Sequence, residues 1–179
     1  LIGSRLAEVK RKGADIIIAL DVSNSMLAED IKPNRIERSK QALNQLIDRL
    51  EGDRIGIIVF AGEAYVQLPI TTDYNAAKMF ISSINTNMVP TQGTAIGAAI
   101  SLARESFTDT TKKHSALVII TDGENHEDDA VEEAKLATEQ GIKVFTIGMG
   151  SEEGAPIPIY NNSAVVGFRQ DNSGQTVVT

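Results

Sequence analysis

The 179-residue sequence contains no cysteine and only two histidines. The missing thiols exclude disulfide bonds, zinc sites built from thiolates and cysteine nucleophiles. No sequence pattern places His114 and His126 next to each other, so neither is assigned a role.

Long apolar runs and an excess of positive charge are also missing. No segment reaches the roughly 18 consecutive apolar residues that a membrane span requires, and we recognise no signal peptide. The net charge of −7 argues against nucleic acid as a partner, because phosphates require a basic patch. Neither G-x-G-x-x-G nor G-K-[ST] occurs, so no phosphate loop is expected. Because the chain begins at Leu1 and not at Met, we expect it to be a piece of a longer protein.

Four continuous apolar runs predict strands that are covered on both faces. They are "DIIIAL" (15–20), "RIGIIVF" (54–60), "SALVII" (115–120) and "KVFTIG" (143–148). Apolar residues at helical spacing predict helices over 35–50, 74–84, 95–107 and 129–140. This alternation is typical of an α/β fold, here a three-layer, doubly wound and mostly parallel sheet.

Two segments depart from the alternation. "EAYVQL" (63–68) follows the preceding strand too closely for a crossover helix, which predicts an antiparallel edge strand. After Gly150, turn residues surround short β-like pieces, which predict an irregular, hairpin-like β extension. The resulting organisation is a basic N-terminal arm at 1–14, an α/β domain at 15–150 and the extension at 151–179.

The first predicted strand ends in oxygen side chains at alternate positions, in "ALDVSNSM" (19–26). In a tight loop leaving a strand, Asp21, Ser23 and Ser25 can point into one concavity. Ligands of open parallel sheets bind beyond the carboxyl ends of the strands, where this loop is expected. The alternative is a turn whose polar side chains merely cap the backbone.

Two later loops offer further oxygen ligands at the same edge. Thr94 lies in "PTQGTAIG" (90–97) before a predicted helix, and Asp122 in "IITDGE" follows a predicted strand. Each has a structural alternative, Thr94 as a helix N-cap and Asp122 with Gly123 as a strand-ending turn. If the three loops are adjacent, two carboxylates and three hydroxyls form a hard-oxygen set that suits Mg²⁺ and disfavours zinc.

Three neighbouring residues are candidates for the rim of this site or for support around its ligands, namely Met26, Gly93 and Glu124. Met26 and the adjacent Leu27 could equally pack beneath the loop. The acidic run "GENHEDDAVEE" (123–133) is interpreted as a solvated helix start in preference to a second metal site.

The D-x-S-x-S pattern of "DVSNS", followed in order by Thr94 and Asp122, resembles the metal-ion-dependent adhesion site of von Willebrand factor A (VWA) domains. The resemblance covers about residues 15–150. It implies a mostly parallel sheet flanked by helices and a bound Mg²⁺ or Mn²⁺ held by Asp21, Ser23, Ser25, Thr94 and Asp122. It also implies that an Asp or Glu of a partner protein completes the coordination shell.

Longer stretches resemble bacterial aerotolerance-associated Bat proteins, most closely the BatB type: "DVSNSMLAEDIKPNRIERSK", "DRIGIIVFAGEAYVQLPITTDY" and "TDGENHEDDAVEEAK". This resemblance implies a protein anchored in the bacterial inner (cytoplasmic) membrane, with the arm at 1–14 beside the membrane and this domain facing periplasm or cytoplasm. It also implies other Bat proteins or a MoxR-type AAA+ ATPase system as partners. The final helix usual in the family is missing, so we expect a truncation before it.

The function predicted from these features is a metal-dependent protein–protein interaction module and not an enzyme. We find no nucleophile–base pair, no catalytic histidine and no organic cofactor motif. One alternative is a magnesium-dependent hydrolase of the haloacid-dehalogenase phosphatase type. Such an enzyme needs a second aspartate at the position that Ser23 occupies. The other alternative is a structural assembly domain that works without metal.

Overall fold

The central element is a five-stranded sheet with the order β3-β2-β1-β4-β5. The structure, a computed structural model, describes residues 13–108, 114–123, 129–162 and 164–179. The five strands are β1 (Asp15–Asp21), β2 (Arg54–Phe60), β3 (Ala64–Thr71), β4 (Ser115–Thr121) and β5 (Lys143–Gly148). The predicted arm at 1–14 lies almost wholly outside the described residues.

The sheet is parallel except at one edge. β1 pairs in parallel with both β2 and β4, and β5 pairs in parallel with β4. β3 is antiparallel to β2, as predicted for the segment that starts at residue 63. Because β1 lies between β2 and β4, the carboxyl ends of these three strands lie side by side. The predicted mostly parallel α/β class is confirmed.

Within the described residues four α-helices connect these strands, and side-chain caps fix three of their N-termini. The helices are α1 (Arg35–Ile47), α2 (Tyr74–Ser83), α3 (Ile96–Ser106) and α4 (Ala130–Glu139). Asn34, Asp73 and Asp129 each accept a hydrogen bond from the backbone N–H three residues later, at 2.9, 2.9 and 3.1 Å. These caps satisfy donors that the first helical turn leaves unpaired.

Two apolar cores sandwich the sheet and make the fold three-layered. One core packs α1 and α2 on one face, with Ile18, Leu20, Leu43, Ile57 and Ile81 among its buried residues. The other packs α3 and α4 on the opposite face, with Ile17, Phe60, Ile100, Ile119 and Ala137. The continuous apolar strands thus face helices on both sides, as a parallel sheet requires.

The chain after β5 forms the predicted hairpin-like extension. β6 (Pro158–Asn161) pairs antiparallel with β7 (Ala164–Phe168), and isolated bridges join Pro156 to Val178 and Gln170 to Thr176. None of the helices in the described ranges has the length and apolar character needed to cross a lipid bilayer.

Candidate metal centre

The first loop begins where β1 ends and turns at once into a short 3-10 helix over Asn24–Leu27. Asp21 Oδ1 accepts the backbone N–H of Ser23 at 2.8 Å, and the Oγ atoms of Ser23 and Ser25 are 2.9 Å apart. All three side chains are buried. The loop therefore concentrates one carboxylate and two hydroxyls, as the alternating pattern predicts.

Met26 is wholly buried and belongs to the core on the α1 side of the sheet. Its prediction as an exposed rim residue is wrong, and the alternative of packing beneath the loop is correct. The reason is the 3-10 turn, in which the N–H of Met26 donates to the carbonyl of Ser23 at 3.1 Å. Burying an apolar side chain there stabilises the loop from below.

The second loop is fixed to the end of β2 by backbone hydrogen bonds. The N–H of Gly62 donates to the carbonyl of Thr91 at 2.9 Å, and the N–H of Ala95 donates to the carbonyl of Ala61 at 2.7 Å. These bonds hold the buried Thr94 at the same edge of the sheet as Asp21. The N-cap of α3 is Ala95, so Thr94 is not the capping residue.

Gln92 and Gly93 complete this second loop. The Gln92 side-chain oxygen accepts the N–H of Asn24 at 3.1 Å, which links the second loop to the first. Gly93, a predicted rim residue, has a φ of 136° immediately before Thr94. Residues with a Cβ rarely adopt this φ, so glycine suits the turn.

Gly62 offers a test of this loop arrangement. A Cβ at Gly62 would lie 2.8 Å from the carbonyl oxygen of Gln92 and 2.7 Å from Thr91 Cγ2. We expect Gly62→Ala to displace the second loop, weaken metal binding and reduce the free energy of unfolding by about 1–3 kcal/mol. Gly167→Ala is the matched control, since nothing lies within 4 Å of its added Cβ. Calorimetric metal titration and thermal unfolding measure both effects, and equal behaviour of the two variants would contradict the prediction.

The third loop begins at Thr121 and Asp122, where β4 ends. Thr121 Oγ1 donates to Asp21 Oδ2 at 2.7 Å and accepts the N–H of Gly123 at 3.1 Å. Sequence reasoning missed this role of Thr121, although a hydroxyl residue directly before the aspartate in "IITDGE" was a usable signal. The bond follows from the parallel pairing of β1 and β4, which brings their carboxyl ends together.

Asp122 carries the most informative atom of the site. Its side chain is 1% exposed, and its Oδ2 accepts Arg35 Nη1 at 3.0 Å. Its Oδ1 is buried and has no hydrogen-bond partner among the described residues. A buried, unsatisfied carboxylate oxygen costs free energy unless a cation or donor meets it. The donor set therefore fits a divalent cation that prefers oxygen ligands.

The electrostatic surroundings of Asp21 also fit a bound cation. Burial raises the pKa of Asp21 from its ordinary 3.8 to about 6, although hydrogen bonds from Ser23 and Thr121 oppose the rise; the negative charge of Asp122 adds to it. A cation at this position would favour the ionised carboxylate. In the described part of the chain no three His, Cys, Asp or Glu side chains group around one point, so a metal site formed by the described residues would include hydroxyl oxygens.

Two further predictions fall on residues 124–128, which lie outside the described residues. They are the role of Glu124 at the rim and most of the acidic run at 123–133. The described end of that run agrees with a helix start, since Asp129 caps α4 and two acidic residues occupy its first turn. Negative charge there interacts favourably with the helix dipole.

The matching family model describes the von Willebrand factor type A domain and covers residues 15–172. BatB from Bacteroides thetaiotaomicron, a conserved hypothetical protein, is 51% identical, with a TM-score of 0.87 over 93% of this chain and 80% of that one. An aerotolerance-related membrane protein from Bacteroides fragilis is also 51% identical, with a TM-score of 0.88 over 93% and 81% of the two chains. These findings confirm the resemblance to the BatB type.

A more distant structure shares the fold alone. Proximal thread matrix protein 1 of the mussel byssus, solved with a zinc-occupied MIDAS motif, is 23% identical, with a TM-score of 0.68 over 78% of this chain and 36% of that one. The chain spans about half the length of the curated relatives that it matches. From the match over residues 15–172, the chain belongs to the family of von Willebrand factor type A domains.

Proposed function

We propose that this chain is a metal-dependent protein–protein interaction module of a membrane-anchored, Bat-type aerotolerance protein, and that it has no enzymatic turnover. It binds Mg²⁺ or Mn²⁺ and, through the ion, an Asp or Glu side chain of a partner. The observation that carries the proposal is the buried Asp122 Oδ1 without a partner among the described residues, at an edge shared with Asp21 and three hydroxyls.

The ligand set would consist of Asp21, Ser23, Ser25, Thr94 and Asp122. Two carboxylates and neutral hydroxyls supply little negative charge, so a bound divalent ion keeps a strong attraction for one more carboxylate. The ion contributes that electrostatic attraction. The chain contributes the positions of the oxygens and a buried, low-dielectric setting in which the attraction is strengthened.

Titration of chelator-stripped protein with Mg²⁺ and Mn²⁺ tests the proposal. We expect saturable heat and a thermal midpoint that rises with ion concentration, because a ligand that binds only the folded state stabilises it. Asp21→Ala and Asp122→Ala should abolish both signals, with circular dichroism confirming that each variant is folded. Unchanged affinity in either variant, or no binding even with added acetate, would contradict the proposal.

The hydroxyl ligands should have smaller effects than the carboxylates. Ser23→Ala or Thr94→Ala removes a neutral oxygen, so we expect metal binding to weaken roughly tenfold without being lost, about the worth of one hydrogen-bond-like contact. Ser101→Ala, on α3 and away from the three loops, is the control. The same calorimetric titration measures all three variants. A Thr94→Ala protein that binds the metal as tightly as wild type would show that Thr94 is not a metal ligand.

The alternative functions fit less well. A haloacid-dehalogenase-type phosphatase needs an acid–base aspartate where Ser23 lies, and the Ser23 hydroxyl cannot replace it at neutral pH. We expect no hydrolysis of generic phosphate esters. A purely structural assembly domain would keep its partner after Asp21→Ala, so partner binding by that folded variant separates the two models.

Partner and location follow from the Bat-type assignment. Other Bat proteins or a MoxR-type AAA+ ATPase system are the proposed partners, and the bacterial inner membrane is the proposed location. The relative from Bacteroides fragilis, described as a membrane protein, supports the membrane association. Co-purification that requires both Mg²⁺ and an intact Asp21 would identify such a partner.

A further inference from the structure

Arg35, the first residue of α1, is buried and uses all of its hydrogen-bond donors. Its side chain is 2% exposed, and its guanidinium has five N–H groups. Nε and Nη2 donate to the two carboxylate oxygens of Asp30 at 2.9 and 2.8 Å, and Nη1 donates to Asp122 Oδ2 at 3.0 Å. The last two donors go to Thr179, from Nη1 to Oγ1 at 3.1 Å and from Nη2 to the carbonyl at 2.8 Å. The group therefore has one fixed orientation.

The segment after β5 closes over the same group. The N–H of Ser151 donates to Asp30 Oδ2 at 2.7 Å, and a Cβ added at Gly150 would lie 3.2–3.5 Å from the guanidinium atoms. Gly150 has a φ of 153° and leaves just enough room for the arginine. The orientation of Arg35 is thus determined together by Asp30 before α1, by Asp122 in the third loop and by the C-terminal extension.

The two carboxylate oxygens of Asp122 have different surroundings. Oδ2 is engaged by Arg35, and Oδ1 is buried and without a partner among the described residues. We propose that Arg35 is a positioning residue that limits Asp122 to one oxygen for the metal and so favours binding of an external carboxylate. The proposal rests on the metal-bridging function proposed above and names the residue that tunes it.

The direction of the effect follows from charge and from the orientation of the ion pair. Asp30 lies at the Nε and Nη2 edge of the guanidinium and Asp122 at Nη1, so the positive end of the pair faces Asp122. The positive guanidinium beside Asp122 offsets part of the carboxylate charge that a cation would otherwise receive, so it weakens binding of the bare cation. The same positive charge attracts an incoming carboxylate. Arg35 therefore acts in opposite directions on the two ligands, whereas a residue that merely holds the loop in place would strengthen both.

The test compares wild type with a double variant, Arg35→Gln with Asp30→Asn, which removes both charges of the ion pair and keeps hydrogen-bonding groups. Calorimetry measures the Mg²⁺ dissociation constant with and without saturating acetate. The ratio of the two constants is the coupling factor, which is reciprocal between the two ligands. Acetamide replaces acetate as the uncharged control, and Lys32→Gln, at an exposed cation nearby, is the control variant.

In the double variant we expect Mg²⁺ alone to bind roughly tenfold tighter and the coupling factor to fall by a similar ratio. Arg35→Lys, which keeps the charge but has three donors, should give an intermediate coupling factor. Weaker binding of both ligands, or an unchanged coupling factor, would overturn the proposal. If wild type binds no Mg²⁺ even with acetate present, or binds it without coupling to acetate, the metal-bridging function itself fails.

A measurement on the wild type does not depend on the folding of any variant. Five satisfied donors predict slowly exchanging, resolved guanidinium signals of Arg35 in nitrogen-15 NMR spectra. At saturating Mg²⁺, added acetate should shift the Nη1 signal, and acetamide should not. An Nη1 signal that does not respond to acetate, in a protein that couples the two ligands, would contradict the role of Arg35.

Discussion

Asp21→Asn should make the metal-free protein more stable at pH 7.5 and, at the same time, insensitive to Mg²⁺. Asp21 is fully buried, and burial raises its pKa from 3.8 to about 6. A raised pKa in the folded state stabilises the fold below pH 3.8, and this contribution is lost as pH rises through 6. At pH 7.5 the ionised carboxylate therefore lowers the free energy of unfolding, by at most about 3 kcal/mol.

The asparagine removes that charge and keeps nearly the same shape. Its side-chain oxygen can still accept the N–H of Ser23, and its NH₂ group can donate to the Thr121 hydroxyl. Chemical unfolding at pH 4.5 and 7.5, with and without Mg²⁺, measures the difference between wild type and variant. Without metal, the free energy of unfolding of the variant relative to wild type should increase from pH 4.5 to pH 7.5. With Mg²⁺ this advantage should disappear, because the ion stabilises wild type and not the variant.

Asp48→Asn is the matched control, because it makes the same chemical change in a side chain that is 61% exposed. It should alter neither the pH dependence nor the response to Mg²⁺. A metal-free Asp21→Asn protein that is less stable than wild type at pH 7.5 would show that the hydrogen bonds of Asp21 outweigh the cost of burying its charge.

Arg35→Met should be the most destabilising single change in the site. It leaves the carboxylates of Asp30 and Asp122, 4% and 1% exposed, without their cationic partner. Arg35 and the backbone N–H of Ser151 lower the pKa of Asp30 to about 2, which reflects how strongly the ionised form is held. Removing one partner of a buried ion pair typically costs about 3–5 kcal/mol.

Chemical denaturation measures this loss, and Arg38→Met in the same helix is the control. Arg38 is exposed and contacts Gln41 at 3.3 Å, so its replacement should change stability by less than about 0.5 kcal/mol. Adding Asp30→Asn to Arg35→Met should recover part of the loss, because one uncompensated charge disappears. Equal effects of the two arginine replacements would mean that the buried cluster contributes no net stability.

The elements of the fold were predictable because each carries a local signal. The runs at 54–60 and 143–148 match β2 and β5 at both ends, and the residues directly before two predicted helices, Asn34 and Asp73, are of the types that cap helices and do so. The predicted helix over 35–50 ends earlier, at Ile47. Beyond it, the N–H groups of Arg49 and Leu50 donate to carbonyls only three residues earlier, and the chain then turns at Gly52, whose φ is 76°. Continuous apolar strands and caps depend on neighbours in sequence, which a single sequence displays.

The surroundings of the site were not predictable, because they depend on contacts between distant segments. Arg35 donates hydrogen bonds to Asp122, which is 87 positions away, and to Thr179, which is 144 positions away. One local hint existed: a cation at the first turn of a helix is opposed by the helix dipole and therefore suggests carboxylates nearby. The sequence left two positions open for Met26, at the rim or beneath the loop, for a related reason, since the alternation of side chains does not distinguish a 3-10 turn from an extended loop.

The Thr121–Asp21 hydrogen bond joins residues 100 positions apart, across two strands that pair in parallel. Such a contact must close a long chain loop, so it forms late in folding, after β4 has docked beside β1. The unfolded chain would hold the proposed ligands far apart, and an ion could bind only to the finished sheet. Chelators should therefore leave the domain folded, in contrast to zinc fingers, and ion occupancy should report completed folding rather than start it.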